Sequence, residues 1–358
     1  MKLPEYCAPD FHAEVFLNAP DATTIAAPQD GIVPNGYHAT SIFPEYYKIG
    51  GQWKPIRQSR MDCAVIIKDG ELYAVEARNI KKGDSVVIGR EEDGCSGIYL
   101  NTSPFEADNE AADGFAFRGS RTRETSYSRD YDSLYELLRY EKQHGYSVWV
   151  LGPACTFDYD SRRAMAGLIE KGYVQAVFAG NALATHDLEA AVLKTALGQD
   201  IYTQKSIKGG HYHHLDTINM VRESGGIRPF IEQRGIEDGI MAAVIKTGIP
   251  YVLAGSIRDD GPLPDVIANV YEAQSAMRDI IKQATTVITL ATQLHAIATG
   301  NMTPCYTIKD GIVRPVNFYT VDISEFAVGK LHDRGSLSAR SIVTNVQDFL
   351  VNVERNLG

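Results

Sequence analysis

The sequence has no C-x-x-C pair, and its five cysteines, Cys7, Cys63, Cys95, Cys155 and Cys305, lie far apart. An odd, dispersed set argues against a disulfide framework and for a reducing compartment. Long apolar runs are missing too. No segment approaches the roughly 18 continuous apolar residues of a membrane span. The opening Met1-Lys2-Leu3-Pro4-Glu5-Tyr6 lacks the apolar stretch of an export signal. The expectation is a cytoplasmic protein without a membrane partner. Positive charge is scarce: 35 Lys and Arg stand against 45 Asp and Glu, for a net charge of -10. A nucleic-acid partner, which needs a basic face, is therefore not expected. Internal repeats and low-complexity tracts are absent. So is G-x-G-x-x-G, the usual fingerprint of a dinucleotide fold.

What is present is an ordinary globular composition, 44% hydrophobic and 22% charged over 358 residues. That length exceeds a single hydrophobic core, so more than one domain is expected. Residues 1–50 are rich in Pro, Gly, Ala and Tyr and read as strands and loops, with 13–17 a short extended stretch. Residues 61–68 read as a strand, Asp69-Gly70 as a hairpin turn, and 71–76 as its partner. Another turn at Lys81-Lys82-Gly83-Asp84 leads into 85–88. The span 40–105 thus reads as a small β-unit, a barrel being one way to close it. Residues 106–130 are polar, with Arg118, Arg121, Arg123 and Arg129. This is either a solvated linker or a lid that brings guanidinium groups to an anionic ligand.

From residue 131 the pattern changes. Helical spacing over 131–144 ends at Gly145, and strands then alternate with helices. Strands are predicted at 147–151, 174–179, 249–254, 286–290 and 316–321. Helices are predicted at 161–171, 187–197, 215–223, 236–247, 266–281 and from 293, with a last helical segment over 338–350. The fold class is α/β: a small β-rich N-terminal domain (1–130), then a doubly wound, Rossmann-like parallel-sheet domain (131–358) covered on both faces.

In such a sheet, ligands sit beyond the carboxyl ends of the strands. There the sequence places Gly152-Pro153-Ala154-Cys155, Gly180-Asn181-Ala182, Gly255-Ser256 with Arg258-Asp259-Asp260-Gly261, Thr292-Gln293-Leu294-His295, and Asp322. A strand ending at Gly180 and opening a helix over 181–189 points backbone N–H groups at an anion. Asp322 suits the ribose hydroxyls of NAD, with its charge disfavouring NADP; its plainer role is to cap a segment starting at Ser324. His211-x-His213-His214 invites a zinc reading, but three histidines so close cannot easily face one ion. No metal is assigned, and substrate contact, proton transfer or helix-start packing remain. His186, with Asp187 and Glu189, is a second acid–base candidate, although both acids also suit the first turn of a helix. Cys155 reads as a packing residue, since no activating partner is fixed by spacing.

Several long stretches together resemble one family. They are Arg60-Met61-Asp62-Cys63-Ala64-Val65, the run from Gly180 through His186-Asp187-Leu188-Glu189, and Gly209-Gly210-His211-Tyr212-His213-His214-Leu215. With them go Leu253-Ala254-Gly255-Ser256-Ile257-Arg258-Asp259-Asp260-Gly261-Pro262, Leu290-Ala291-Thr292-Gln293-Leu294-His295, Val321-Asp322-Ile323 and Asp333-Arg334-Gly335-Ser336. Over 55–358 the chain resembles the archaeal-type ornithine cyclodeaminases of the LOR/SDH conserved-region family. The same module forms the C-terminal part of cyanobacterial arginine dihydrolase/ornithine cyclodeaminases.

The resemblance implies an NAD-dependent lyase of amino-acid metabolism, turning L-ornithine into L-proline and ammonia with NAD recycled. It implies a deoxyhypusine-synthase-like cofactor domain and a homo-oligomer, dimer or tetramer. By matching motif, Asn181, Ala182, Asp260, Thr292, Gln293, Leu294, His295, Asp322 and Ile323 would contact NAD. Arg118 and Arg121 are candidates for the substrate carboxylate, and His213, His186 and Asp259 for the acid and base. The sequence departs from the family at Cys155-Thr156-Phe157-Asp158-Tyr159, where a Val-His-Thr-Gly type segment is usual, in the arginine-bearing loop, and in a shortened N-terminal subdomain. These departures keep open a related NAD enzyme acting on another amino acid or amine. One such is an aminoalkyl transferase with Lys205 or Lys208 as carrier; a non-catalytic NAD sensor is the third reading.

Overall fold

Val148-Trp149-Val150-Leu151 and Val287-Ile288-Thr289-Leu290 carry no polar face that could meet water, so strands built from them must be covered on both sides. In the computed structural model they are central. The structure describes residues 3–56, 58–105, 127–259, 261–309, 311–324 and 338–358, apart from the side chains of 127–130 and 338. Six strands form one sheet: β1 (Ser147–Leu151), β2 (Ala176–Gly180), β3 (Tyr251–Ala254), β4 (Thr286–Leu290), β5 (Asn317–Asp322) and β6 (Ser338–Val343). Their spatial order is β3-β2-β1-β4-β5-β6, and every pairing is parallel. That is the doubly wound order, whose connections reverse between β1 and β4 and open a crevice there.

Alternate residues of each strand serve opposite layers. Trp149, Leu151, Val177 and Ala179 pack with Leu168, Ile169, Val244, Phe349 and Leu350. Those partners come from α2 (Tyr159–Glu170), α6 (Ile240–Thr247) and α9 (Val346–Leu357), a layer that also includes α1 (Tyr127–His144). Val148, Val150, Ala176 and Phe178 pack on the other side with Ala273, Met277 and Ile281 of α7 (Val270–Ile281) and Met302 of α8 (Gln293–Met302).

Several expectations need correction. The helix predicted at 187–197 is α3 (Asn181–Leu193), which starts directly after β2 and ends at Lys194 in a left-handed conformation. The segment 338–350 is not one helix. Its first half pairs with β5 as the edge strand β6, and Asn345 then caps α9 by accepting from the Gln347 N–H at 2.8 Å. The helix of 236–247 starts only at Ile240, after a separate α5 (Ile227–Arg234), and α4 spans His213–Ser224. The hairpin Tyr306–Lys309/Ile312–Pro315 was not foreseen. Residues 13–17 are not extended: Glu14–Leu17 is a helical turn that buries Phe16 against Trp53 and Tyr99.

The N-terminal β-unit is two antiparallel sheets among the described residues. One joins Thr24–Ala26, Ser85–Val87, Ala64–Lys68 and Glu71–Val75; the other joins Gln52–Pro55, Glu45–Ile49 and Ile98–Leu100. Asp69 and Gly70 both have positive φ, the backbone of the predicted two-residue hairpin turn. The unit docks on the α7/α8 layer. Arg278 of α7 donates to the carbonyls of Gln58 and Ser59 at 3.1 and 3.2 Å, and the Tyr306 hydroxyl donates to the Ile56 carbonyl.

Candidate functional site

The crevice floor is built by close backbone approach. At the end of β1 the Gly152 N–H donates to the Leu290 carbonyl at 2.7 Å, and a Cβ on Gly152 would stand 2.0 Å from the Ala291 oxygen. Only glycine lets β1 and β4 part so late. Gly180 leaves its space to a side chain instead: a Cβ there would lie 2.8 Å from Cε1 of His295. The His295 imidazole reaches in from α8, with Nδ1 3.3 Å from Thr292 Oγ1 and the ring hydrogen-bonded to the Ala254 carbonyl. Burial pushes its pKa down, outweighing those favourable contacts, so the ring is neutral near pH 7.

Helices α3 and α8 open straight from β2 and β4, and neither first turn is closed by a side-chain cap. Their first N–H groups remain available to an anion in the crevice. Asn181 Oδ1 accepts from the Leu263 N–H at 3.0 Å and from Thr185 Oγ1 at 3.2 Å, so this side chain ties the loop after β3 to the start of α3. Asp259 accepts from the Ser256 N–H at 2.9 Å and shapes the same loop. Ala182 and Thr292 are half-buried, whereas Gln293 and Leu294 are exposed in the first turn of α8. At the end of β5, half-buried Asp322 accepts from the Ser324 N–H at 2.9 Å, and Ile323 is exposed. Asp260, Arg118 and Arg121 lie outside the described residues.

Beside the crevice the structure assembles a second group. Glu189, fully buried on α3, accepts from Nδ1–H of His186 at 2.8 Å and from the Thr195 hydroxyl at 2.7 Å. Because the Thr195 proton is spent on Glu189, the 2.7 Å contact between Thr195 Oγ1 and His213 Nδ1 makes His213 the donor. The His214 ring lies 4.9 Å from that of His186. A Cβ on Gly210 would stand 2.5 Å from the Gly198 carbonyl oxygen, so glycine lets the histidine segment press against the 195–200 hairpin.

The histidine cluster of the sequence does not converge as a set. Among the described residues, the possible metal-ligating atoms that gather, within 4.8 Å of one another, belong to His186, Glu189 and His214. Asp187 and Glu189 are not in the first turn of their helix. Asp187 accepts at the N-terminus of α6 from Ile240 and Met241, at 3.0 and 2.7 Å, and pairs with buried Arg162 at 2.6 Å. Its role is to hold α2, α3 and α6 together. Sequence reading missed Arg162, Thr195 and the placement of His214, because their partners lie 25, 6 and 28 residues away, as Asp187, Glu189 and His186. Cys155 is buried, and burial lifts its thiol to about 12, as suits a packing residue.

Two family profiles match the chain. One is described as arginine dihydrolase ArgZ-like, C-terminal, first region, over 44–127; the other as arginine dihydrolase ArgZ-like, C-terminal, Rossmann fold, over 134–353. An ornithine cyclodeaminase of Methanocaldococcus jannaschii is 40% identical over 332 residues, 90% of this chain and 75% of that protein. A conserved LOR/SDH protein from Methanococcus maripaludis S2 superposes with a TM-score of 0.85 at 35% identity, covering 94% of this chain and 98% of that one. AgrE, solved as a ternary complex with ornithine and NAD+, superposes with a TM-score of 0.59 at 32% identity, covering 95% of this chain and 46% of that one.

Proposed function

We propose, from the premise that this chain belongs to the arginine dihydrolase ArgZ-like C-terminal family, that it is an NAD-dependent ornithine cyclodeaminase. It converts L-ornithine to L-proline and ammonia. The observation that carries the reading is the crevice at the switch point, where the starts of α3 and α8, neither closed by a side-chain cap, follow the ends of β2 and β4. Helix-start N–H donors without a capping side chain are what a pyrophosphate requires, so the residues fit a dinucleotide. NAD held there would supply the hydride acceptor for the substrate Cα and, once reduced, the hydride donor for the cyclic imine.

The chain's own residues do the rest. The N–H groups opening α3 at Asn181 and Ala182 hold phosphate oxygens. Thr292, Gln293, Leu294 and His295 form the opposite wall, His295 as a neutral imidazole held between Thr292 and the Ala254 carbonyl. Asp322, with Ile323 beside it, accepts from ribose hydroxyls, and its charge opposes an added 2′-phosphate. By matching motif Asp260 joins the cofactor contacts, and Arg118 or Arg121 is the candidate for the substrate carboxylate. The motif match supplies His186, His213 and Asp259 as candidates for the acid and base, without choosing among them. For His213 the support is the chain of hydrogen bonds through Thr195 to buried Glu189, which fixes the orientation of its ring.

The proposal extends to two domains, 1–130 and 131–358, supported by separate sheets in the two parts. It also extends to proline synthesis in a reducing cytoplasm, which suits five free thiols, and to a homo-oligomer that light scattering would size. No helix of the described residues is long and apolar enough to cross a membrane. Lys205 and Lys208 are exposed, so no observation favours an aminoalkyl carrier.

The test is incubation with NAD and L-ornithine. Proline and ammonia should form without net NADH. Turnover of another amino acid, with none of ornithine, would remove the substrate and keep the cofactor; no rise in Tm with NAD would remove the cofactor itself.

A further inference from the structure

We propose that His214 is a catalytic residue of this enzyme: its Nδ1 receives the proton of the substrate ammonium and later gives it to the departing amine. The inference rests on the cyclodeaminase reading above. It goes beyond that reading by assigning the base to a histidine that the motif match did not select.

The first observation is an unmet hydrogen-bonding group. Nδ1 of His214 is shielded from solvent and has no hydrogen-bond partner among the described residues. A buried polar atom without a partner costs about 1–3 kcal/mol and calls for a reason. An incoming ammonium, which carries three N–H donors, supplies the missing partner. The second observation is position. His214 lines a cleft of about 310 Å³ with His186, His211, Leu197, Gly198 and Gly210. The groups facing its ring are His186 and Glu189 from α3 and Asp259 from the loop after β3, with His211 on its own segment. The Asp259 carboxylate acts electrostatically on both His214 and the crevice residue His295.

The third observation is that its neighbours are already committed. His186 spends Nδ1–H on Glu189, and His213 spends Nδ1–H on Thr195. Both are held in one tautomer, while His214 keeps a free Nδ1. Burial first, then the facing His186, lowers the His214 pKa, so its ring is neutral when substrate arrives. In the step itself, the substrate N–H bond breaks and an Nδ1–H bond forms. The electron pair stays on the amine, and the imidazole becomes a cation facing Glu189 and Asp259. That proton then passes to the amine that leaves, so ammonium is released and His214 ends neutral. His186 and Glu189 are positioning residues for this ring.

The experiment compares wild type with His214→Asn and His214→Ala. Thermal melts and NAD titration, by quenching of tryptophan fluorescence, show that both variants fold and bind cofactor. We expect kcat to fall about 100-fold or more in both, with NAD affinity unchanged. The acid limb of the kcat profile should disappear, and added imidazole should restore turnover to His214→Ala, which a structural role would not allow. A folded His214→Asn that keeps kcat within about threefold of wild type overturns the proposal, as does a folded His214→Ala that imidazole fails to rescue. Wild-type activity that 1,10-phenanthroline abolishes and zinc restores also overturns it, by making His186, Glu189 and His214 metal ligands. If wild type yields no proline from ornithine, the reading beneath falls first, and this proposal with it.

Discussion

The His295 imidazole lies across the backbone of Gly180, its Cε1 2.8 Å from where a Cβ on that glycine would stand. Two motifs 115 positions apart thereby become one surface, with the end of β2 as its base and the start of α8 as its cover. Gly180 has φ -106, which any residue adopts, so alanine there meets a steric obstacle and no backbone strain. Gly180→Ala should displace His295, cost about 1–3 kcal/mol of stability, and weaken NAD binding. Calorimetric titration of the variant with NAD checks this; unchanged affinity would show that His295 is not part of the cofactor wall.

Arg162 and Asp187 form a buried pair, 2% and 1% exposed, with Asp187 also accepting from two N–H groups of α6. Without Asp187, Arg162 keeps Asp238, 2.6 Å from its Nη1, but two buried N–H groups of α6 lose their acceptor. Asp187→Ala should cost about 2–4 kcal/mol in urea unfolding. A loss below about 1 kcal/mol would mean that water reaches Arg162 in solution.

Asp322→Ala should lower NAD affinity by about 10- to 100-fold, the worth of hydrogen bonds to a charged acceptor. It should weaken NADP binding less, since the repelling charge has gone. Parallel titrations with the two cofactors separate the outcomes, and an unchanged preference would remove Asp322 from the ribose site.

Stability should fall on both sides of neutrality. Burial holds His214 and His295 below their ordinary 6.5, so below that pH the unfolded chain gains protons that the folded one refuses. Burial raises the thiols of Cys63 to about 11 and Cys155 to about 12, from an ordinary 9.0. Above 9.0 the unfolded chain ionises first, and the contribution is lost as pH climbs through the folded values. Tm measured across pH 5 to 11 should trace both limbs; a flat alkaline limb would contradict the burial of these thiols.

Alkylation gives an independent reading of the same thiols. At pH 8, iodoacetamide should modify exposed Cys7 and Cys95 in the folded protein, and Cys63, Cys155 and Cys305 only after unfolding. Peptide mass spectrometry resolves each site, and early labelling of Cys155 would make it a reactive group instead of a packing residue.

The sequence by itself determined the sheet and its active edge. Doubly apolar strands such as 148–151 and 287–290 must be buried on both faces, and small and polar residues collect only where those strands end. The hairpin at Asp69-Gly70 was legible for the same local reason, since two residues with positive φ suit few sequences. Segment 338–350 was not legible, because an edge strand next to β5 is decided by its neighbour and not by its own periodicity. The acid–base group was hidden in the same way. Asp187 looked like a helix-start acid and proved to be the partner of Arg162. Glu189, Thr195, His213 and His214 meet only because Gly198 and Gly210 let two loops touch. Local chemistry writes strands and turns into the chain; which carboxylate faces which imidazole depends on packing between residues far apart in it, and only the tertiary structure decides that.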